Sequence, residues 1–380
     1  MLTIEKIDTY DKAQVRRFVR LPYRLYKDHP QWTPPLYMDV EMQLNREKHP
    51  FYEHSEADFF AAVRDGEVVG RIAALEQRRY NEYHGTQIGS FGFFEVVNDF
   101  EVARALLDNA RQWVEKHGMT VLRGPGEYSN ATHERQAILV EGFEYPPTVE
   151  LTHNPPYYGQ FLEQYGFCKS KDYVARITDL RNAPISLLKR LASKVNKSRL
   201  NIETRPIIMK NMRAEVRLIV NIYNKAWSQN WGFLPLTDEE ADAIADSLRL
   251  VADPGLIWFA FVDGEPAAVL GIIPDPYYAL RPRWRWYGDS DFVRAARLLL
   301  MRRRIPRTRG MFFGVCPEFQ GLSGIPALIA GEVIEHFTKR GYTSCEGSLL
   351  LEDNNRILKI SELLGGRYYK RWRIYDLPLK

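Results

Sequence analysis

Two rhythms of apolar and polar positions run along this chain, short runs of period two and longer stretches of period 3.6, and their order occurs twice. In the second half, residues 203–208 read as a strand and 211–227 as a helix, and Thr237 with Glu240 three residues on supplies a capping box for another helix. Residues 257–262 and 265–273 read as a hairpin, 311–316 as a strand and 327–340 as a helix. Strands at 344–351 and 367–375, separated by a helix from about 355 to 364, complete the half. The first half follows the same order, with strands at 58–64, 68–75, 89–96 and 121–123 and a helix at 101–117. Asp65-Gly66 and Asp263-Gly264 sit between paired apolar runs at an offset of 198 positions, and each predicts a tight primed turn. Asn154-Pro-Pro-Tyr157-Tyr158 followed by Gly166 parallels Asn354-Asn-Arg-Ile357-Leu358 followed by Gly365 at an offset of about 200. Two signals in the same order at the same offset predict a duplicated α/β (α+β) fold. Each copy is a mixed, mostly antiparallel sheet flanked by helices. One domain spans 1–180, a polar, basic linker 181–200, and a second domain 201–380.

The 380 residues suffice for two such cores. A hydrophobic share of 45% and a mean hydropathy of −0.37 exclude a disordered or membrane-spanning class. Apolar runs such as 267–273 fall well short of a membrane span, and the first residues show no secretion signal. A cytoplasmic protein is expected, touching the inner membrane face at most peripherally. Three cysteines without C-x-x-C spacing argue against a disulfide framework and a zinc site and read as small buried hydrophobes. The formal charge is +4, but ten arginines against two acids between Arg281 and Gly310 give that segment +8 and leave −4 for the remainder. Such a block points to a phosphate-rich ligand, an anionic membrane or nucleic acid, or equally to a solvated helix face.

Candidate chemistry lies just after the block. Val315-Cys-Pro-Glu-Phe-Gln320-Gly321-Leu322-Ser323-Gly324-Ile325-Pro326 leaves a predicted strand and opens a predicted helix, so its backbone N–H groups stand at the positive end of a helix dipole. That is a pyrophosphate cradle, with Pro326 suited to the first helical turn.

These residues resemble the acyl-CoA-binding loop of the GNAT N-acyltransferase superfamily, and Asn354-x-x-Ile357-Leu358 resembles that superfamily's later helix. Leu21-Pro-Tyr to Trp32-x-Pro-Pro-Leu36, Asn230-Trp-Gly-Phe233, Leu351-Glu-Asp-Asn354 and Leu364-Gly-Gly-Arg-x-Tyr369-Lys370 are similar to the bacterial ceramide-synthase-like group of tandem GNAT proteins. The resemblance implies acetyl-CoA or a longer acyl-CoA as co-substrate, held by Val315, residues 320–326 and Asn354, and no metal. It implies transfer to an amine, a small molecule or a lipid such as a long-chain sphingoid-like amine. The loop is one residue longer than the usual pattern, Pro326 replaces a final small residue, and Ser361 stands where many relatives carry an acidic Tyr.

Acyl transfer to an amine needs a base, an oxyanion donor and a proton for the thiolate. Glu346, then Glu352 and Asp353, are the candidate bases, and Tyr369, Tyr368 or a water the candidate acid. Asn230 and Trp231 fall where such folds bind the acceptor, and His133 beside Glu134 is a further candidate for that cleft. The first half has Glu95 and Asp99 where phosphate would lie, and reads as a degenerate copy walling one side of the acceptor site. The competing readings are a non-catalytic acyl-CoA-binding protein, motivated by Ser361, and an anionic-ligand or nucleic-acid binder, which no nucleic-acid motif supports. Trp284-Arg-Trp286 and the arginines would help meet a membrane surface. The internal duplication favours a monomer.

Overall fold

The computed structural model describes residues 1–126, 128, 136–187, 190, 191, 201–281, 290–322 and 324–379. The strands, in chain order, are β1 (Leu2–Lys6), β2 (Glu56–Arg64), β3 (Glu67–Glu76), β4 (Ile88–Val96), β5 (Val121–Gly124), β6 (Ile138–Glu141), β7 (Cys168–Asp179), β8 (Ile202–Pro206), β9 (Ile257–Val262), β10 (Glu265–Pro274), β11 (Arg307–Val315), β12 (Ser344–Leu351) and β13 (Arg367–Pro378). They divide between two compact units. One comprises residues 1–172, 280–297 and 370–380, and the other 173–279 and 298–369.

The first unit's sheet has the order β1-β2-β3-β4-β5-β13, with β6 also pairing β13. Every pair is antiparallel except β4 with β5. The second unit's sheet, β8-β9-β10-β11-β12-β7, has the same pattern, antiparallel except for β11 with β12. The sixth strand of each sheet thus comes from the other half of the sequence, an exchange that local periodicity does not display.

The predicted hairpins form at both repeats. Asp65 and Gly66 take φ of 52° and 84°, and Asp263 and Gly264 take 49° and 86°. This doubly left-handed turn matches the twist of its flanking strands and favours Asp-Gly for steric reasons. Alternate residues of β2 are buried on both faces of its sheet. Phe60 and Ala62 pack toward Leu106 and Ala110 of the helix Phe100–Lys116, while Phe59 and Ala61 pack toward Phe18 and Val19 of the helix Lys12–Leu25. In the second unit Thr237 and Glu240 form the predicted reciprocal cap of the helix Asp238–Val251. The cysteines only partly follow the expectation of burial: Cys316 is buried and Cys345 half-buried, but Cys168 is exposed on its strand.

Residues 30–35 of the first unit are held by arginines of its 280–297 segment. Arg294, 1% exposed, donates to the carbonyls of Pro34 and Pro35, and Arg281 to that of Pro30. Nearby, burial, with help from the Lys370, His29 and Arg281 charges, pushes the pKa of His153 down to about 4, and its Nδ1 is buried with no hydrogen-bond partner among the described residues. The unfolded chain therefore takes up this proton before the folded one, so its stabilising effect is complete above pH ~6.5 and is lost as pH falls toward 4. We expect His153→Gln to remove a slope of up to about 1.4 kcal/mol per pH unit in that window. Denaturant unfolding of both proteins between pH 4 and 7 measures it.

Candidate acyl-donor site in the second unit

In the second unit β11 and β12 run side by side for four residues, Arg307–Gly310 against Ser344–Gly347, and then part. β11 continues along β10 to Val315, and β12 along β7 to Leu351. The N–H of Cys316 donates to the carbonyl of Ala267 (2.8 Å), while Val315 stands opposite Ala268. Antiparallel alternation therefore turns the N–H and C=O of Val315 away from β10 and into the gap. Two side chains reach the carbonyls on that side: Trp227 Nε1 donates to Phe313 (3.0 Å) and Gln320 Nε2 to Val315 (3.2 Å).

The loop beyond β11 turns tightly at Pro317–Phe319 and reaches Gly324, the N-cap of the helix Ile325–Arg340. Glycine offers no side chain to this helix start, and Pro326 brings no N–H. Arg356, in the helix Asn355–Leu363, donates to Oε1 (2.8 Å) and to the carbonyl (3.0 Å) of Gln320, tying the loop to that helix. Asn354 caps the same helix by accepting from the Ile357 N–H (3.2 Å). The predicted cofactor residues Val315, Gln320, Gly321, Leu322, Gly324, Ile325, Pro326 and Asn354 thus lie on this loop and at two helix starts joined by Arg356. Ser323 lies outside the described residues.

Where the strands are still paired, a polar network is buried. Glu346, 1% exposed, stands opposite Arg309 in the parallel register. Its Oε1 accepts from Ser348 Oγ (2.7 Å), its Oε2 accepts from the Tyr369 hydroxyl, and Arg309 Nε donates to Ser348 Oγ (3.2 Å). Burial, then the charge of Glu346, pushes the Tyr369 pKa far above the phenol's ordinary range, so this hydroxyl keeps its proton at physiological pH. Glu346 and Tyr369 are therefore brought together. Asp353 is not joined to them: it is exposed in the turn after β12, and the strand from Glu346 to Leu351 alone spans roughly 16 Å. Sequence reasoning did not pick out Ser348 or Arg309 for this network; a polar residue two along from a strand Glu was the available sign.

Asn230 and Trp231 follow the helix Met212–Ala226. Trp227 in this segment bonds to β11, and Trp231 meets Tyr173 edge to face with ring centroids 6.3 Å apart; Tyr173 is the β7 residue opposite Leu351. The segment thus reaches from one side of the parted strands to the strand paired with the other. His133 and Glu134 lie outside the described residues.

The first unit has the same gap, closed. β4 and β5 pair over Ile88–Ser90 and Val121–Arg123 and then part. Val96 is the counterpart of Val315: it stands opposite Gly70, and the next N–H, of Val97, donates to Val69 (3.0 Å). Here the Tyr158 hydroxyl accepts from the Val96 N–H (2.9 Å) and the Tyr157 hydroxyl donates to the Val96 carbonyl (2.8 Å). Tyr158 and Tyr26 both donate to Glu95 Oε2, at 2.8 and 2.6 Å. Asp99 caps the helix Phe100–Lys116 through the Glu101 N–H (2.9 Å) and pairs with Arg64 (2.8 Å).

The described arginines of the block take different partners. Arg281 and Arg294 bind carbonyls, Arg307 pairs with the buried Asp275 (2.5 Å), and Arg309 joins the Glu346 network. Arg302, Arg303 and Arg304 are exposed. Arg283, Trp284, Arg285 and Trp286 lie outside the described residues.

These features are those of a tandem GNAT fold, and comparison with known proteins agrees. No family model matches the chain. It is 31% identical over 382 residues to a protein of Caulobacter vibrioides named bacterial ceramide synthase, covering 97% of this chain and 95% of that one. It is 30% identical over 384 residues to Protein YghO of Escherichia coli, covering 96% and 93%. Among solved structures, a tandem GNAT protein from the clavulanic acid biosynthesis pathway superposes with a TM-score of 0.59 at 14% identity, over 100% of this chain and 98% of that one. The chain belongs to the bacterial ceramide synthase family of tandem GNAT proteins.

If the tyrosines hold the first gap shut, Tyr158→Phe strands the buried Val96 N–H and should cost about 1–3 kcal/mol of stability. Urea denaturation followed by circular dichroism tests this, and an unchanged midpoint would contradict the assignment.

Proposed function

We propose that the protein is an acyl-CoA-dependent N-acyltransferase whose chemistry is carried by the half of the chain from 201 to 380, with residues 1–180 a degenerate copy that binds no acyl-CoA. The observation that carries this reading is the N–H of Val315 turned into the gap beside the helix start at Gly324, its carbonyl taken by Gln320, against the counterpart at Val96 where tyrosine hydroxyls take both groups. An extended chain bearing amides, such as the pantetheine arm of an acyl-CoA, satisfies such a strand edge as an added strand would. Its pyrophosphate meets the backbone of residues 320–322 and 324–326 at the positive end of the Ile325–Arg340 dipole.

In the reaction the amine nitrogen attacks the thioester carbonyl carbon, and the carbon–sulfur bond breaks. As the nitrogen acquires its bond, its proton passes to the Tyr369 oxygen while the Tyr369 proton passes to Glu346. A buried carboxylate with both oxygens engaged thus acts through the hydroxyl it holds. The same hydroxyl then gives a proton to the departing thiolate while Glu346 returns its own to the tyrosine oxygen, so the amine's proton ends on sulfur and both side chains end as they began. Asn230 and Trp231 receive the acceptor, and on the strength of the Caulobacter relative's name we take that acceptor to be a long-chain, sphingoid-like amine. Acetyl-CoA or a longer acyl-CoA is the donor. The protein acts as a monomer.

Isothermal titration with acetyl-CoA, palmitoyl-CoA and free CoA tests the donor. Binding by wild type that is abolished in Gly324→Glu supports the reading, and no binding of any of the three would overturn it. With a turnover assay in hand, Glu346→Gln and Tyr369→Phe should each lower kcat by about 10²–10⁴-fold while leaving acyl-CoA affinity near wild type.

A further inference from the structure

The helix Asp291–Met301 is amphipathic the wrong way round for a core helix. Phe292 and Leu300 are each 81% exposed, and Leu299 and Val293 are 53% and 49% exposed. At 100° per residue these four side chains, with Ala296 among them, occupy one face about 120° wide. Arg294, on the opposite face, is 1% exposed. The polar residue is turned inward and the apolar residues outward, which a protein surface facing only water does not favour. The helix's single acid, Asp291, lies at its start, where Oδ2 accepts from the Met38 N–H (2.9 Å); Met38 is itself 60% exposed. Directly after the helix come Arg302, Arg303 and Arg304, all exposed, and the chain carries no Asp or Glu from Phe292 to Pro317.

We infer that this helix lies flat on a bilayer bearing anionic lipid, its apolar face among the acyl chains near the headgroups and Arg302–Arg304 against the lipid charge. An outward apolar face followed by a cationic cluster free of acids is what such a surface attracts. Among the described residues no helix is long and apolar enough to cross a membrane, so the contact is peripheral. The inference does not rest on the acyl-transfer reading, but docking of this kind gives an enzyme access to an acceptor that resides in lipid.

The test is flotation of the full-length protein with vesicles of phosphatidylcholine alone or mixed with phosphatidylglycerol, without acyl-CoA. Wild type should float with the mixed vesicles and be released by salt. Phe292→Ser/Leu300→Ser should lower the partition coefficient roughly tenfold or more, and Arg302→Gln/Arg303→Gln/Arg304→Gln should remove the preference for anionic vesicles. Circular dichroism establishes that the variants fold, and acyl-CoA titration of each separates a failure here from a failure of the proposed function. Wild type that does not float, or that floats equally well in both variants, overturns the inference. So does a wild-type dimer in sedimentation that the double serine variant dissolves without any vesicle binding, since the face would then be an interface between copies.

Discussion

A backbone N–H or C=O withdrawn from water must find a partner, and the two parallel strand pairs of this chain set that demand twice. In each unit two neighbouring strands separate after three or four paired residues, so the longer strand continues with backbone groups turned into an open gap. Leaving such a group buried and unpaired costs about 1–3 kcal/mol. The first unit meets the demand with Tyr157 and Tyr158. In the second, among the described residues, Trp227 and Gln320 take the carbonyls of Phe313 and Val315, and the gap lies beside a helix whose N-cap is Gly324. One duplicated construction thus yields one sealed copy and one suited to an extended ligand.

The remaining chemistry gathers around the second gap for the same reason. Strands that are still paired bring Arg309 beside Glu346, and the bonds through Ser348 and Tyr369 keep a carboxylate in place at 1% exposure. A buried carboxylate is tolerable only with such partners. Cations of the arginine block serve similar ends elsewhere, Arg307 against Asp275 and Arg294 against carbonyls. Arg302–Arg304 remain exposed.

Much of this was legible in the sequence. The Asp-Gly turns, the capping box at Thr237 and the strand-loop-helix passage around Gly324 are local signals, each with a steric or hydrogen-bonding cause within a few residues. The resemblance of residues 315–326 to a GNAT loop pointed to the family to which the chain belongs. What periodicity missed is non-local. The exchange that places β7 in the second sheet and residues 370–378 in the first depends on pairing between distant segments. Tyr157 and Tyr158 served only as markers of the repeat, because nothing nearby in sequence shows that their hydroxyls meet Val96. The arginines read as a charge block because the partners of Arg281 and Arg294 are carbonyl oxygens, which every residue carries, and those of Arg307 and Arg309 lie on distant segments. Asp353, chosen for being acidic and near the right strand, lies apart from Glu346 because the strand runs on between them.

The central claim is that one gap is sealed and the other takes the acyl donor. Native mass spectrometry of the intact chain with excess palmitoyl-CoA counts the bound donors directly. One molecule per chain, retained in Tyr158→Phe and lost in Gly324→Glu, is the result the account predicts; two per chain, or one that survives Gly324→Glu, would contradict it.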